Sequence, residues 1–359
     1  MVELELHRRY PETRTLPHVE LADLPTPVES LDPLGAELGI RGLWVKRDDL
    51  TASTYGGNKV RKLEFLLGHA LAEERERVWT VGAVGSHHVL ATSIYAREVG
   101  IEPHALHFPQ PITDHVREVL RALRTTRPHL ELVNSKHILP VKMAQRHVKE
   151  WLARAESPYY IPGGGSSPRG VLGYVNAALE LARQVDNGEI PTPDAIFVAA
   201  GTCGTLAGLH LGCRMAELPS RVVGVRVVDR ILANPLVTAN LANRTGHLLA
   251  ECGVEVPRVR AGDIEIIDDQ FGPGYGEGTE SGRAAIKLLD DHANFELDPT
   301  YTAKAFAGLI EFDEEPTRPL QHVLYWHTLN SADLSALSED ADDLCSLPDE
   351  YQQFFDDDQ

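Results

Sequence analysis

Lys59 comes after the two-glycine turn Tyr55-Gly56-Gly57-Asn58 and opens the run Val60-Arg61-Lys62-Leu63-Glu64. Two glycines let the backbone take φ > 0 and approach a ligand closely. Val60, Leu63 and Leu67 recur at helical spacing and would bury one face of a helix beginning at the turn. A helix start carries free N–H groups and the positive end of the dipole, which favour a neighbouring anion and disfavour a second cation. Lys59 is therefore a candidate for an unprotonated, nucleophilic amine, the species that forms a Schiff base with an aldehyde. The plainer reading makes Lys59, Arg61 and Lys62 solvated cations after an ordinary turn, and this segment alone favours it.

A second glycine loop shifts the balance. The apolar run Ala195-Ile196-Phe197-Val198 reads as a buried strand feeding Gly201-Thr202-Cys203-Gly204-Thr205 and then a helix. That order turns backbone N–H groups and the hydroxyls of Thr202 and Thr205 toward one point, the arrangement a phosphate requires. No G-x-x-x-x-G-K-[ST] is present, so a nucleoside triphosphatase reading fails, and the spacing G-x-x-G-x-x-x-G departs from the dinucleotide fingerprint. A tight strand-to-helix turn without a ligand accounts for this loop equally well.

The elements that must position these loops alternate. Leu43–Lys46, Val78–Val81 and Pro103–Phe108 read as strands, Ala91–Glu98 and Val116–Leu123 as helices, with no internal repeat. Strand-helix alternation implies an α/β protein with a parallel sheet whose site lies at the carboxyl ends of the strands. A chain of 359 residues with 43% hydrophobic content can bury one large core or two moderate ones. The net charge of −19 argues against a nucleic-acid partner. No apolar run approaches the roughly 18 residues of a membrane span. Four cysteines without a C-x-x-C pair, and no secretory leader, point to a reducing cytoplasm. The last 29 residues hold ten acids and no base, so Ser338–Gln359 reads as a solvated acidic tail, or a short acidic helix ordered by a partner through Tyr351, Phe354 and Phe355. Sixteen histidines invite a metal reading, which fails on spacing: His87 and His88 diverge on a helix, and His104 and His107, three apart on a strand, face opposite sides. No metal is expected.

Taken together, Gly56-Gly57-Asn58-Lys59-x-x-Lys62-Leu63-Glu64, the Gly201–Thr205 loop, Ile161-Pro162-Gly163-Gly164-Gly165-Ser166-Ser167, Gly274-Tyr275-Gly276 and Leu297–Ala305 resemble the D-cysteine desulfhydrase and 1-aminocyclopropane-1-carboxylate (ACC) deaminase family. The likeness runs from about Leu24 to Thr328 with its motifs in family order. It implies two parallel-sheet αβα domains of the tryptophan-synthase-β-like type, fold type II of the pyridoxal phosphate (PLP) enzymes. A large PLP-binding domain is expected over 1–59 and 162–330, a small inserted domain over 60–161 and the acidic tail over 331–359, with the cofactor in the cleft between domains.

By resemblance, Lys59 is the Schiff-base lysine and Asn58 bonds the cofactor's phenolic oxygen. Lys62, Gly201, Thr202, Cys203, Gly204 and Thr205 hold the phosphate, and Thr328 faces the pyridine nitrogen. Ser86, with His87 and His88 beside it, binds the substrate carboxylate, while Tyr275 and Tyr301 stand over the substrate. Three departures bear on substrate. Gly85-Ser86-His87-His88 replaces the usual Gln-Ser-Asn-His, Leu329-Asn330 replaces two glycines after Thr328, and Thr302 stands where ACC deaminases have glutamate. The last argues against opening of a cyclopropane ring. The reading is a PLP-dependent lyase or deaminase, a homodimer, performing β-elimination on a small D-cysteine-like amino acid. A β-substitution synthase and a PLP-binding protein without turnover are its two rivals.

Overall fold

The computed structural model describes residues 3–135, 138–152, 157–312, 320–338 and 347–355. The chain forms two compact units, one of Met1–Phe65 with Ser166–Ser331 and a smaller one of Leu66–Gly165 with Ala332–Gln359.

The strands of the larger unit are β1 (Val28–Ser30), β2 (Leu43–Arg47), β7 (Ala195–Ala200), β8 (Arg221–Arg226), β9 (Glu265–Ile267) and β10 (Val323–His327). They lie in the order β1-β2-β10-β7-β8-β9, with β1 antiparallel at the edge and the other pairings parallel. Alternation along each central strand fills a core on both faces. Leu324 and Trp326 of β10 pack on one side with Ile196 and Val198 of β7, whereas Val323 and Tyr325 pack on the other with Ala195 and Phe197. The parallel register aligns the carboxyl ends of β2, β10 and β7. Three loops therefore emerge side by side: Asp48–Gly57 after β2, Thr328–Asn330 after β10 and Gly201–Cys203 after β7.

The smaller unit holds β3 (Arg77–Ala83), β4 (Glu102–Phe108), β5 (His129–Leu132) and β6 (Tyr159–Ile161), in the order β5-β4-β3-β6 and parallel throughout. The helices His87–Glu98, Asp114–Thr125 and Leu139–Leu152 come after β3, β4 and β5 in turn. The expected strands and helices of the sequence thus form, in the expected α/β order.

The acidic tail is a correction. Among its described residues, Asp349–Phe354 form a 3-10 turn in which Tyr351 is fully buried. The Tyr351 hydroxyl lies 3.0 Å from Nδ1 of His107, Leu132 N–H donates to Glu350 at 2.9 Å, and Arg117 donates to the Phe354 carbonyl at 3.0 Å. Arg121 lies over the Phe355 ring. Aromatic burial and cations from the Asp114–Thr125 helix outweigh the solvation that the acid count favours.

Candidate active site

The site is built from the head of the Asn58–Ala72 helix. Gly57 takes φ +87°, and a Cβ there would stand 3.1 Å from the Leu329 carbonyl and the Asn330 nitrogen, so the two loops touch backbone to backbone. Gly57 N–H donates to the Asp48 carbonyl at 2.8 Å, and Asn58 N–H donates to the Thr328 carbonyl at 3.2 Å. Leu329 and Asn330 meet Gly57 with their backbone, and the Asn330 amide donates to the Tyr55 hydroxyl at 3.2 Å.

Below this turn Arg61 is fully buried, which overturns its reading as a solvated cation. It donates to Asp48 at 2.8 Å and to both oxygens of Glu180 at 2.9 Å, while Lys46 reaches Glu180 at 2.6 Å and Gln184 at 2.6 Å. Tyr174 and Trp326 complete the Asp48 carboxylate at 2.6 and 2.7 Å. Burial works against the Arg61 charge, but Asp48 and Glu180 outweigh it and raise its pKa well above the usual range. Burial likewise opposes the Glu180 charge, and Arg61 and Lys46 prevail, holding it at about 2. Every charge here has a counter-charge, so the network fixes the helix head and offers no reactive group.

For the lysines on either side of Arg61 in sequence, the setting reverses. Lys59 Nζ donates to Asn58 Oδ1 at 2.6 Å, and the Asn58 amide donates to Thr205 Oγ1 at 3.2 Å. Burial lowers the Lys59 pKa to about 8, with Asp298 opposing the shift. Lys62 is buried too, and burial followed by the Lys59 charge brings it well below the ordinary lysine range. A Cβ on Gly204 would fall 2.4 Å from Ser166 Oγ and 3.1 Å from Lys62 Nζ, so only glycine lets the loop close on that ammonium. Gly204 N–H donates to Ser166 Oγ, which also lies 2.7 Å from Thr202 Oγ1. Cys203, at φ +63°, precedes the Gly204–Met215 helix; its thiol turns toward the Gly201 and Leu232 carbonyls among Val227, Val228 and Ala233. Its backbone belongs to the loop, while its side chain is core.

Tyr275 and Tyr301 share a 2.7 Å hydroxyl contact, and the Tyr301 ring lies 3.3 Å from where a Gly201 Cβ would stand. Burial, with the paired hydroxyl and Asp298 adding to it at Tyr301, keeps both phenols protonated at neutral pH. Thr302 is buried, with its hydroxyl 2.6 Å from Asp298 Oδ2, and Asp298 also receives the Tyr301 N–H at 2.7 Å. Position 302 thus anchors the tyrosine's helix.

In the smaller unit Ser86 caps the His87–Glu98 helix, accepting from Val89 N–H at 3.4 Å. His87 stands 2.8 Å from His115 through their Nε2 atoms. His88 is buried with Nε2 2.9 Å from the Thr80 hydroxyl. Successive helical residues point about 100° apart, so His87 and His88 leave the helix in different directions.

The residues fit a phosphorylated aldehyde cofactor. A glycine-closed loop at the start of a twelve-residue helix and the Lys62 ammonium form a dianion cradle. One turn away stands an amine held near neutrality by burial. The contribution missed from sequence is the Arg61–Asp48–Glu180 network, whose only sequence signal is its charged residues inside apolar runs.

Comparisons with known proteins give the family and the fold. A family model described as pyridoxal-phosphate dependent enzyme matches residues 19–328. The D-cysteine desulfhydrase of Klebsiella pneumoniae (strain 342) is 37% identical over 302 residues, 82% of this chain and 88% of that protein. The D-cysteine desulfhydrase of Salmonella schwarzengrund (strain CVM19633) is 37% identical over 303 residues, with the same coverage. Among solved structures, an ACC deaminase homologue superposes with a TM-score of 0.78 at 31% identity, covering 94% of this chain and 100% of its own. The processed form of threonine deaminase isoform 2 from Solanum lycopersicum shares the fold, with a TM-score of 0.59 at 17% identity over 94% of this chain and 89% of its own.

Proposed function

This chain belongs to the pyridoxal-phosphate dependent enzyme family, and we propose that it uses the cofactor for β-elimination from a small, D-cysteine-like amino acid, releasing pyruvate, ammonia and the leaving group. It is a lyase or deaminase of the fold type II architecture. The observation that carries the proposal is the Lys59 amine, half-buried beside Asn58 with its pKa lowered by desolvation to about 8 and succeeded one turn later by Lys62 at the Gly204 loop.

We assign the cofactor to the larger unit. Lys59 would hold it through its amine, Asn58 and Thr328 would support its ring with an amide and a neutral hydroxyl, and Lys62 with Gly201, Thr202, Gly204, Thr205 and the Cys203 backbone would take its phosphate. Bound there, the cofactor supplies an electron sink for charge developing at the substrate Cα. Lys59 Nζ removes the Cα proton as general base, a role its lowered pKa suits near neutral pH. Tyr301 and Tyr275, protonated and hydrogen-bonded to each other, donate a proton toward the departing β-substituent. Ser86 binds the substrate carboxylate, and His87 shapes that pocket in place of the family's amide.

The relatives named D-cysteine desulfhydrase support the substrate class. Thr302, tied to Asp298, leaves position 302 without the carboxylate of ACC deaminases and supports elimination over ring opening. A cytoplasmic homodimer belongs to the same proposal; light scattering on the purified protein reads the assembly. The test of the reaction is keto-acid release from enantiomeric pairs of cysteine, serine and chloroalanine. Release from D-cysteine above all others is expected. Release from no amino acid, or a new amino acid formed only when a second thiol is added, overturns it.

A further inference from the structure

Glu102 and His104 stand two apart on β4 and therefore share a face, and the parallel register sets His129 of β5 directly opposite His104. One carboxylate and two imidazoles meet at the edge of the smaller sheet. The His104 and His129 rings stack with centroids 4.5 Å apart. His129 Nε2 is 2.9 Å and His104 Nε2 is 3.5 Å from the two Glu102 oxygens, and one ligand atom from each residue lies within 4.8 Å of the others.

His104 sets this cluster apart from an ordinary surface charge group. It is 7% exposed; among the described residues its Nδ1 has no hydrogen-bond partner and its Nε2 has only the long 3.5 Å contact to Glu102. A buried polar atom without a good partner is costly, and a bond to a metal removes that cost. The cation facing the cluster is Arg146, whose guanidinium lies 3.9 Å from the Trp79 ring centroid and pairs with Glu131. Its charge is thus compensated.

We propose that Glu102, His104 and His129 bind one divalent transition-metal ion of the zinc type, with water completing its coordination, and that the ion staples the edge strand β5 to β4. Two imidazole nitrogens and one carboxylate select Zn²⁺, Co²⁺ or Ni²⁺ over Mg²⁺ and Ca²⁺, which prefer all-oxygen shells. Tetrahedral donors on such an ion stand about 3.3 Å apart at bond lengths near 2 Å. The exposed side chains of His129 and Glu102 reach that spacing by rotation, while buried His104 stays fixed. The staple suits its place, because β5 has four residues and only one sheet neighbour. Histidines three apart along β4 are the wrong pair to weigh; the partner lies across the strands.

The test titrates tag-free, chelator-treated holoenzyme with Zn²⁺ alone by calorimetry, and with Co²⁺ by visible absorption at wavelengths longer than the cofactor's band. One ion per chain at micromolar or tighter affinity is expected, with a rise in Tm on zinc addition. His129→Ala and Glu102→Gln, both at exposed positions, should each weaken binding at least tenfold and abolish the Tm rise while circular dichroism stays native. No saturable one-to-one binding to the unmutated enzyme, or affinity unchanged in both variants, overturns the proposal.

Discussion

Two sides of one helix turn receive cations in opposite ways. Below it, Arg61 is enclosed by Asp48 and Glu180 and holds its proton more firmly than in water. Above it, Lys59 bonds a neutral amide oxygen and gives up its proton near pH 8. Arg61 is fully buried and Lys59 half-buried, two residues apart. Burial therefore does not make a residue reactive; the partner it meets decides whether desolvation is offset or expressed as a pKa shift. The paired side holds the helix head still, and the other side places the amine.

Four measurements would break or sharpen that contrast. The largest effect is expected for Lys59→Ala, which should lower kcat by about 10⁴-fold or more through loss of anchor and base together, while thermal unfolding stays near that of the unmutated protein. Full turnover in that variant would end the contrast. Arg61→Ala should act the other way round, leaving the buried Asp48 carboxylate without its cation and Glu180 with Lys46 alone, at a cost of about 3–5 kcal/mol visible as a lower denaturant midpoint. An Arg61→Ala protein of undiminished stability would show that the paired side is not structural.

Tyr301→Phe should slow turnover by about 10²-fold, as expected for a lost proton donor, with little change in stability. Equal loss of both would place the Tyr301–Tyr275 pair among the packing groups. The smallest effect is a pH dependence. Cofactor uptake by the apoprotein requires unprotonated Lys59, so its rate should rise with pH to a midpoint near 8 and fall about tenfold for each unit below it. A midpoint near 10, the ordinary lysine value, would mean that burial does not reach the amine.

How much can be read in advance depends on how local each feature is. Lys59, Lys62 and the Gly201–Thr205 loop are legible because each lies within a few contiguous residues, and strand-helix alternation gives the fold class. Arg61 is not, since its partners lie 13 and 119 residues away in Asp48 and Glu180. The metal cluster needs the β4–β5 register, which no spacing along one strand reveals. Tyr351 offers a signal inside the acidic tail, but its partner His107 sits on β4, 244 residues earlier.

The most direct test is to reduce the purified holoprotein with borohydride, which fixes the cofactor to the amine that carries it, and to map the modified peptide by mass spectrometry. The account expects the adduct on Lys59 alone, with Lys62 unmodified. An adduct on Lys62 or on any other lysine would contradict it.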